Sequence, residues 1–218
     1  MTTTLIGATG LIGGHLLRGL QADPSFGMIR VLLRRPVPIS GARTEPRLID
    51  FGDPESFRAA IAGSDLIFSA IGTTQKQVGG DQDAYRRVDF DIPVNAARFG
   101  LESGCRHFLL VSSVGANAGS SNFYLRLKGE TEDALRRDGL PAVSIFRPSM
   151  LLGARRELRP GERIGQVLMS GLSFALVGGL RKYKPIKASD VAAAMIARAK
   201  QPVSGDAVLE YDAMMRLL

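Results

Sequence analysis

Tyr124 and Lys128 stand four residues apart in a stretch whose pattern predicts a helix over Asn122–Arg137, and eleven residues before Tyr124 comes the serine pair Ser112-Ser113. On a helix, positions i and i+4 share a face, so an ammonium group would sit beside a phenol. A free phenol titrates near 10, and bringing it to near 7 takes about 4 kcal/mol of preferential stabilisation of the phenolate. Adjacent positive charge is the physical source at hand. A tyrosine tuned in this way gives a proton to a carbonyl oxygen while a serine hydroxyl holds that oxygen. Such a reduction also needs a hydride donor, and the rest of the chain is organised to hold one.

The run Gly7-Ala8-Thr9-Gly10-Leu11-Ile12-Gly13 follows the strand-like Thr3-Thr4-Leu5-Ile6 and opens an apolar-periodic helix. Glycines in this position permit a tight turn, close approach of backbone to a pyrophosphate and close packing of helix on strand. The first helical turn offers unpaired N–H groups and a positive dipole end to phosphates. The spacing Gly-x-x-Gly-x-x-Gly predicts a wider turn than the common Gly-x-Gly-x-x-Gly. A second strand, Ile29–Leu33, ends in Arg34-Arg35-Pro36. NAD-preferring proteins usually place an acid there for the ribose hydroxyls, whereas a guanidinium offers a donor fork to a 2′-phosphate. NADP(H) is therefore the expected cofactor, with Arg34 the leading contact and Arg35 beside it. Asp50 and Phe51 are expected to close the third strand where an adenine edge would lie, and Ala70-Ile71-Gly72 ends the fourth, its glycine admitting the central ribose and phosphates. Gln75–Asp81 reads as a mobile lip over the site.

Strand and helix patterns alternate along the chain. Apolar runs at Thr3–Gly7, Met28–Leu33, Arg47–Phe51, Leu66–Ile71, Phe108–Val111 and Ala142–Phe146 read as strands buried on both faces. Helices are expected at Leu11–Gln21, Glu55–Ala62, Asp83–Glu102 and Asn122–Arg137. Ser189-Asp190 is expected to cap another at Val191–Lys200, with a last strand near Ala207–Glu210. The implied class is α/β, a Rossmann-type doubly wound parallel sheet with helices on both faces. One domain over residues 1–218 is expected, with about 150–218 forming a small substrate-covering region.

Composition narrows the remaining options. The 218 residues carry one cysteine and two histidines, so neither an internal disulfide nor a His/Cys metal site is expected. His15 and His107 lack evident acid–base partners, and Cys105 reads as structural. The first strand begins within three residues of Met1, with no basic and apolar leader before it, giving an expectation of cytoplasmic residence. The uncharged stretch Ile164–Leu180 is too short and too glycine-rich for a membrane span, so no membrane association is expected. Of the formal net charge of +7, a net +6 falls between Ala154 and Lys187, which predicts an anion-attracting rim or a solvated basic face. Nucleic acid is not an expected partner, because no aromatic ladder accompanies the cations. A Gly-x-Ser-x-Gly elbow is absent, which argues against an α/β-hydrolase.

The chain resembles the short-chain dehydrogenase/reductase superfamily in its extended or atypical branch, and within it the Tat-interacting-protein oxidoreductase family. The resemblance is carried by Ile71-Gly72-Thr73-Thr74, Cys105-Arg106-His107-Phe108, Ser112-Ser113-Val114-Gly115-Ala116, Ser120–Tyr124, Lys128-Gly129-Glu130, Phe146-Arg147-Pro148 and Arg159-Pro160-Gly161-Glu162. It implies NADPH held at the glycine loop, Arg34, Ile71, Gly72, Tyr124 and Lys128, with a phosphate contact from Arg159. It also implies that Ser113, with Ser112 as the fallback, positions the carbonyl oxygen, and that Pro148 and the residues after it pack near the carboxamide of the nicotinamide. Asp89 stands near where many extended members place an asparagine, and little more than 70 residues follow Arg147, so a large sugar-nucleotide site is not expected. The expected activity is reduction of a small carbonyl substrate by a monomer or homodimer. The competing expectation is a redox-sensing module whose contact with a protein partner depends on NADPH. Epimerase or dehydratase chemistry would require a retained, recycled cofactor.

Overall fold

The computed structural model describes residues 1–152 and 176–218. Seven parallel strands form its main sheet: β1 (Thr2–Ile6), β2 (Met28–Leu33), β3 (Thr44–Leu48), β4 (Leu66–Ser69), β5 (His107–Val111), β6 (Ala142–Phe146) and β9 (Gly205–Leu209). Their order is β3-β2-β1-β4-β5-β6-β9. The direction of winding therefore reverses between β1 and β4, which opens a crevice at the carboxyl ends of those strands. Two short strands, β7 (Leu151–Leu152) and β8 (Ile186–Lys187), pair in parallel beside it.

Alternating side chains divide the core into two layers, as a sheet buried on both faces requires. Leu5, Val31 and Phe68 point to the face covered by α1 (Leu11–Ala22) and α6 (Ala188–Ala199). Ile6, Leu32 and Ile67 point to the face covered by α2 (Pro54–Ile61), α4 (Ile92–Glu102) and α5 (Phe123–Arg137). The phenylalanines Phe26, Phe57, Phe68, Phe99, Phe108 and Phe146 are completely or almost completely buried. Each contributes about 1.5–3 kcal/mol relative to exposure.

Three expected elements are corrected. The third strand lies at Thr44–Leu48, not Arg47–Phe51, and it is the sheet's edge, with Leu48 61% exposed. Only Ile49 continues toward β2, its N–H bonding the Leu33 carbonyl, so Asp50 and Phe51 lie beyond the strand in a turn. The expected helix Asp83–Glu102 is three pieces: α3 (Gln82–Arg86), a π-helical turn (Arg87–Asp91) and α4. Pro93 in the first turn of α4 has no N–H to give the Asp89 carbonyl, which explains why regular helix does not run through. Finally, α6 begins at Ala188 with Lys187 as its cap residue. Ser189 and Asp190 lie inside its first turn, bonded to each other.

Candidate functional site

The glycine loop at the start of α1 is shaped by its backbone. Gly7 ends β1 at φ +88°, and a side chain there would bring its Cβ within 2.6 Å of the Ala70 carbonyl and the Ile71 nitrogen. A Cβ on Gly13 would fall 1.9 Å from the Gly7 carbonyl oxygen, so β1 and α1 approach this closely only because both positions are glycine. Gly10 caps α1 through its backbone alone, and no acidic residue lies in the first turn. Thr9 and Gly10 are exposed, Leu11 is partly buried, and Ile12 anchors the helix in the core. The result is an anion seat with its dipole end open.

A cleft of about 430 Å³ extends from this loop. It is lined by Gly7, Ala8, Thr9 and Gly10, by Arg34, Arg35, Pro36 and Val37 after β2, by Phe51, and by Ala70, Ile71, Gly72, Thr73 and Val88. Arg34 and Arg35 are exposed at its mouth. Phe51 stands edge-on to Phe57 at 5.0 Å between ring centres, which fixes it as a wall. Asp50 is turned to local duty, its carboxylate accepting the Gly52 N–H at 2.8 Å. The lip from Gln75 is a chain of tight turns, with the Gly80 N–H on the Gln75 carbonyl at 2.9 Å.

The second part of the candidate site is made of side chains. Asn122 caps α5 by accepting the Leu125 N–H at 3.1 Å, and this sets the helix so that Tyr124 emerges, 37% exposed, one turn before Lys128, which is 5% exposed. The Lys128 Nζ lies 6.0 Å from the centre of the Tyr124 ring. It also lies 2.8 Å from Asp89 Oδ1, and Asp89 is itself only 2% exposed. Burial works against the Lys128 charge. The Asp89 carboxylate, with Tyr124 and Glu132 adding to it, more than offsets this, so the ammonium titrates above the ordinary lysine range. The second Asp89 oxygen accepts the Thr73 N–H at 2.8 Å, which ties α5, through Lys128 and Asp89, to the wall of the cleft. Tyr85 donates its hydroxyl to the Thr73 carbonyl at 3.1 Å, and its ring stands edge-on to Phe123 and Tyr124.

The two serines are treated differently. Ser112 is buried and gives its hydroxyl to Glu132, which also receives the Arg147 guanidinium, with Nε at 2.9 Å. Ser113 is half-buried and its hydroxyl makes only a long bond of 3.3 Å to the Val114 carbonyl. The buried Pro148 accepts the Val114 N–H at 3.0 Å, bolting the chain after β6 to the serine loop. Gly129 lets that same loop lie on α5, since a Cβ there would meet the Ala118 nitrogen at 2.1 Å.

Arg155, Arg156, Arg159 and Arg163 of the late basic segment, and most of the stretch from Ile164, lie outside the described residues. Within them, Arg181 is paired with Asp212 at 2.7 Å. Cys105 is buried and desolvation pushes its thiol up to about 11, as suits a packing residue. Among the described residues no group of His, Cys, Asp and Glu could hold a metal, and no helix is long and apolar enough to cross a membrane. The sequence pattern did not signal Val88 or Thr73 as cleft residues, nor the pairing of Asp89 with Lys128. The only cue was an acid where relatives carry an amide.

The sheet order, the reversal between β1 and β4 and the glycine-floored cleft at that point define a dinucleotide-binding protein of the Rossmann class. The chain belongs to the NAD(P)H-binding family, whose model matches residues 7–202, and is an atypical short-chain dehydrogenase/reductase close to HTATIP2. It is 32% identical over 211 residues to Protein FMP52, mitochondrial, of Candida albicans, spanning 94% of this chain and 91% of that one. It is 30% identical over 217 residues to Protein HTATIP2 of Rattus norvegicus, spanning 98% and 87%. Among solved structures, MoeE5 in complex with UDP-glucuronic acid and NAD matches with a TM-score of 0.73 at 18% identity, over 96% of this chain and 75% of that one, a likeness of fold. Cytoplasmic residence, expected from the N-terminal residues, is overturned. The FMP52 relatives from Candida albicans, Aspergillus clavatus and Eremothecium gossypii are all named as mitochondrial proteins.

Proposed function

We propose that the protein is an NADPH-dependent oxidoreductase that reduces a small carbonyl substrate. The observation that carries this reading is the Tyr124–Lys128 pair on α5, chained through Asp89 and Thr73 to the wall of a cleft floored by glycines. The residues fit a dinucleotide: Gly7 and Gly13 keep clear the space that side chains would fill, and the start of α1 offers donors to a pyrophosphate. When bound, the reduced nicotinamide supplies the hydride. Gly7, Thr9, Gly10, Leu11, Ile12 and Gly13 would seat its phosphates, Arg34 and Arg35 a 2′-phosphate, Phe51 and Asp50 the adenine end, and Ile71, Gly72 and Pro148 the remainder.

Tyr124 donates its proton to the carbonyl oxygen, and Ser113 holds that oxygen by a hydrogen bond. The hydroxyl of Ser113 is the freer of the two serines for this, because Ser112 is committed to Glu132. Lys128 places positive charge beside the phenol and toward the cofactor. Residues from about 150 to 218 cover the substrate. Of these, residues 153–175 lie outside the described residues.

The test is Tyr124→Phe. Carbonyl reduction should fall by about 10²–10⁴-fold while NADPH affinity stays within a few-fold of wild type. Unchanged turnover in that variant would end the reading and leave cofactor-dependent binding of a protein partner as the function to pursue.

A further inference from the structure

Asp89 is held more firmly than a helix carboxylate needs to be. One side-chain oxygen meets Lys128 Nζ at 2.8 Å, the other takes the Thr73 N–H at 2.8 Å, and its backbone carbonyl, which Pro93 cannot serve, takes the Thr131 hydroxyl at 3.1 Å. The residue sits within the π-helical turn, an irregularity that concentrates at functional sites because it re-aims side chains. A Cβ on Gly72 would lie 3.5 Å from Asp89 Oδ1, so the carboxylate borders the cleft wall directly.

Lys128 depends on this partner. An ammonium this deeply buried sheds its proton unless a counter-ion holds it. The titratable and charged groups facing it are Asp89 from the π-turn and Tyr124 and Glu132 from its own helix. Glu132 is itself held by Arg147 from the end of β6 and approached by Arg136 of α5, so its charge is already spoken for. Tyr85 stands edge-on to the Tyr124 ring. Asp89 is thus the carboxylate left to balance Lys128.

We propose that Asp89 is a positioning residue, the buried counter-ion that keeps Lys128 charged through mildly alkaline pH and fixes its ammonium between Tyr124 and the cleft wall at Thr73. The inference rests on the reading in which Lys128 contacts the bound dinucleotide. It makes cofactor affinity, and not turnover alone, depend on a residue that need not touch the cofactor.

The experiment is calorimetric titration with NADPH from about pH 7 to about pH 9, a window above the phosphate-monoester ionisation near 6. Wild type, Asp89→Asn, Asp89→Glu and Lys128→Met would be compared. Wild-type affinity should change by less than about twofold across the window. Asp89→Asn should start within about threefold of wild type and weaken by at least about tenfold by the alkaline end, as the unpaired ammonium loses its proton. Asp89→Glu, which returns the charge, should return the flat profile. An Asp89→Asn protein whose affinity is independent of pH, whether tight or weak, overturns the inference, as does Asp89→Glu that stays pH-dependent. Should Asp89→Asn fail to fold, Asp89→Ser reads the same limb. Lys128→Met binding as tightly as wild type would instead remove the reading of Lys128 as a cofactor contact, a separate failure.

Discussion

At the glycine loop the chain works with backbone and empty space. Gly7 and Gly13 let strand and helix close on each other, the first turn of α1 carries no side-chain cap, and the cations at the mouth are exposed. At α5 it works with charge taken out of water: Lys128 against Asp89, and Glu132 against Arg147 and Ser112. The cations of the first arrangement lie at the surface and can be retuned there. The second is tied to folding, because a buried charge without its partner is far more expensive than a surface one. Changes to the exposed Arg34 and Arg35 should therefore leave stability alone, whereas changes at the second end should move both.

The largest expected effect is at Glu132. Glu132→Ala strands the Arg147 guanidinium and the buried Ser112 hydroxyl, and should lower unfolding free energy by about 3–5 kcal/mol, read as the urea midpoint. A midpoint equal to wild type would erase the contrast between the two ends. Next comes His107 at the start of β5, buried and bonded to Ser144 at 2.9 Å. Desolvation, with Arg198 nearby, pushes its pKa down to about 4. Above the unfolded value near 6.5 the ring is neutral in both states. As pH falls from there toward 4 the unfolded chain takes up a proton that the folded one refuses, so stability drops by about 3 kcal/mol. An NMR titration of the His107 ring with its midpoint near 6.5 would contradict this. The smallest effect belongs to the surface. Arg34→Ala should weaken NADPH binding by about ten- to a hundredfold, leave NADH binding as it was and not shift the melting temperature. Equal losses for both cofactors would mean that Arg34 does not read the 2′-phosphate.

The same divide decides what could be read in the sequence. The glycine loop, the arginines after β2 and the Tyr124–Lys128 spacing are local patterns, and each lies on the element expected of it. The register of β3 was not legible, because Ile49 and Phe51 continue an apolar alternation after pairing has ended. The π-turn was not legible either, since one extra residue leaves helical periodicity nearly intact. The partner of Lys128 lies 39 positions earlier in the chain, on another element, and no spacing rule reports such a pair. Ser112 and Ser113 are chemically identical in the sequence and separate only when Glu132 is seen to claim the first.

The packing of α1 has a consequence for the order of events during synthesis. Its Gly19 lies so close to Ile196 of α6 that a Cβ would meet that side chain at 2.4 Å, and Lys200 closes on Asp23 at 2.9 Å across 177 residues of chain. The part of that core layer that α6 covers is therefore open until α6 has left the ribosome. The helix α1 acquires this part of its cover among the last, and a nascent chain halted before Ala188 would expose the side of α1 that faces α6 to whatever chaperone or neighbour stands nearby.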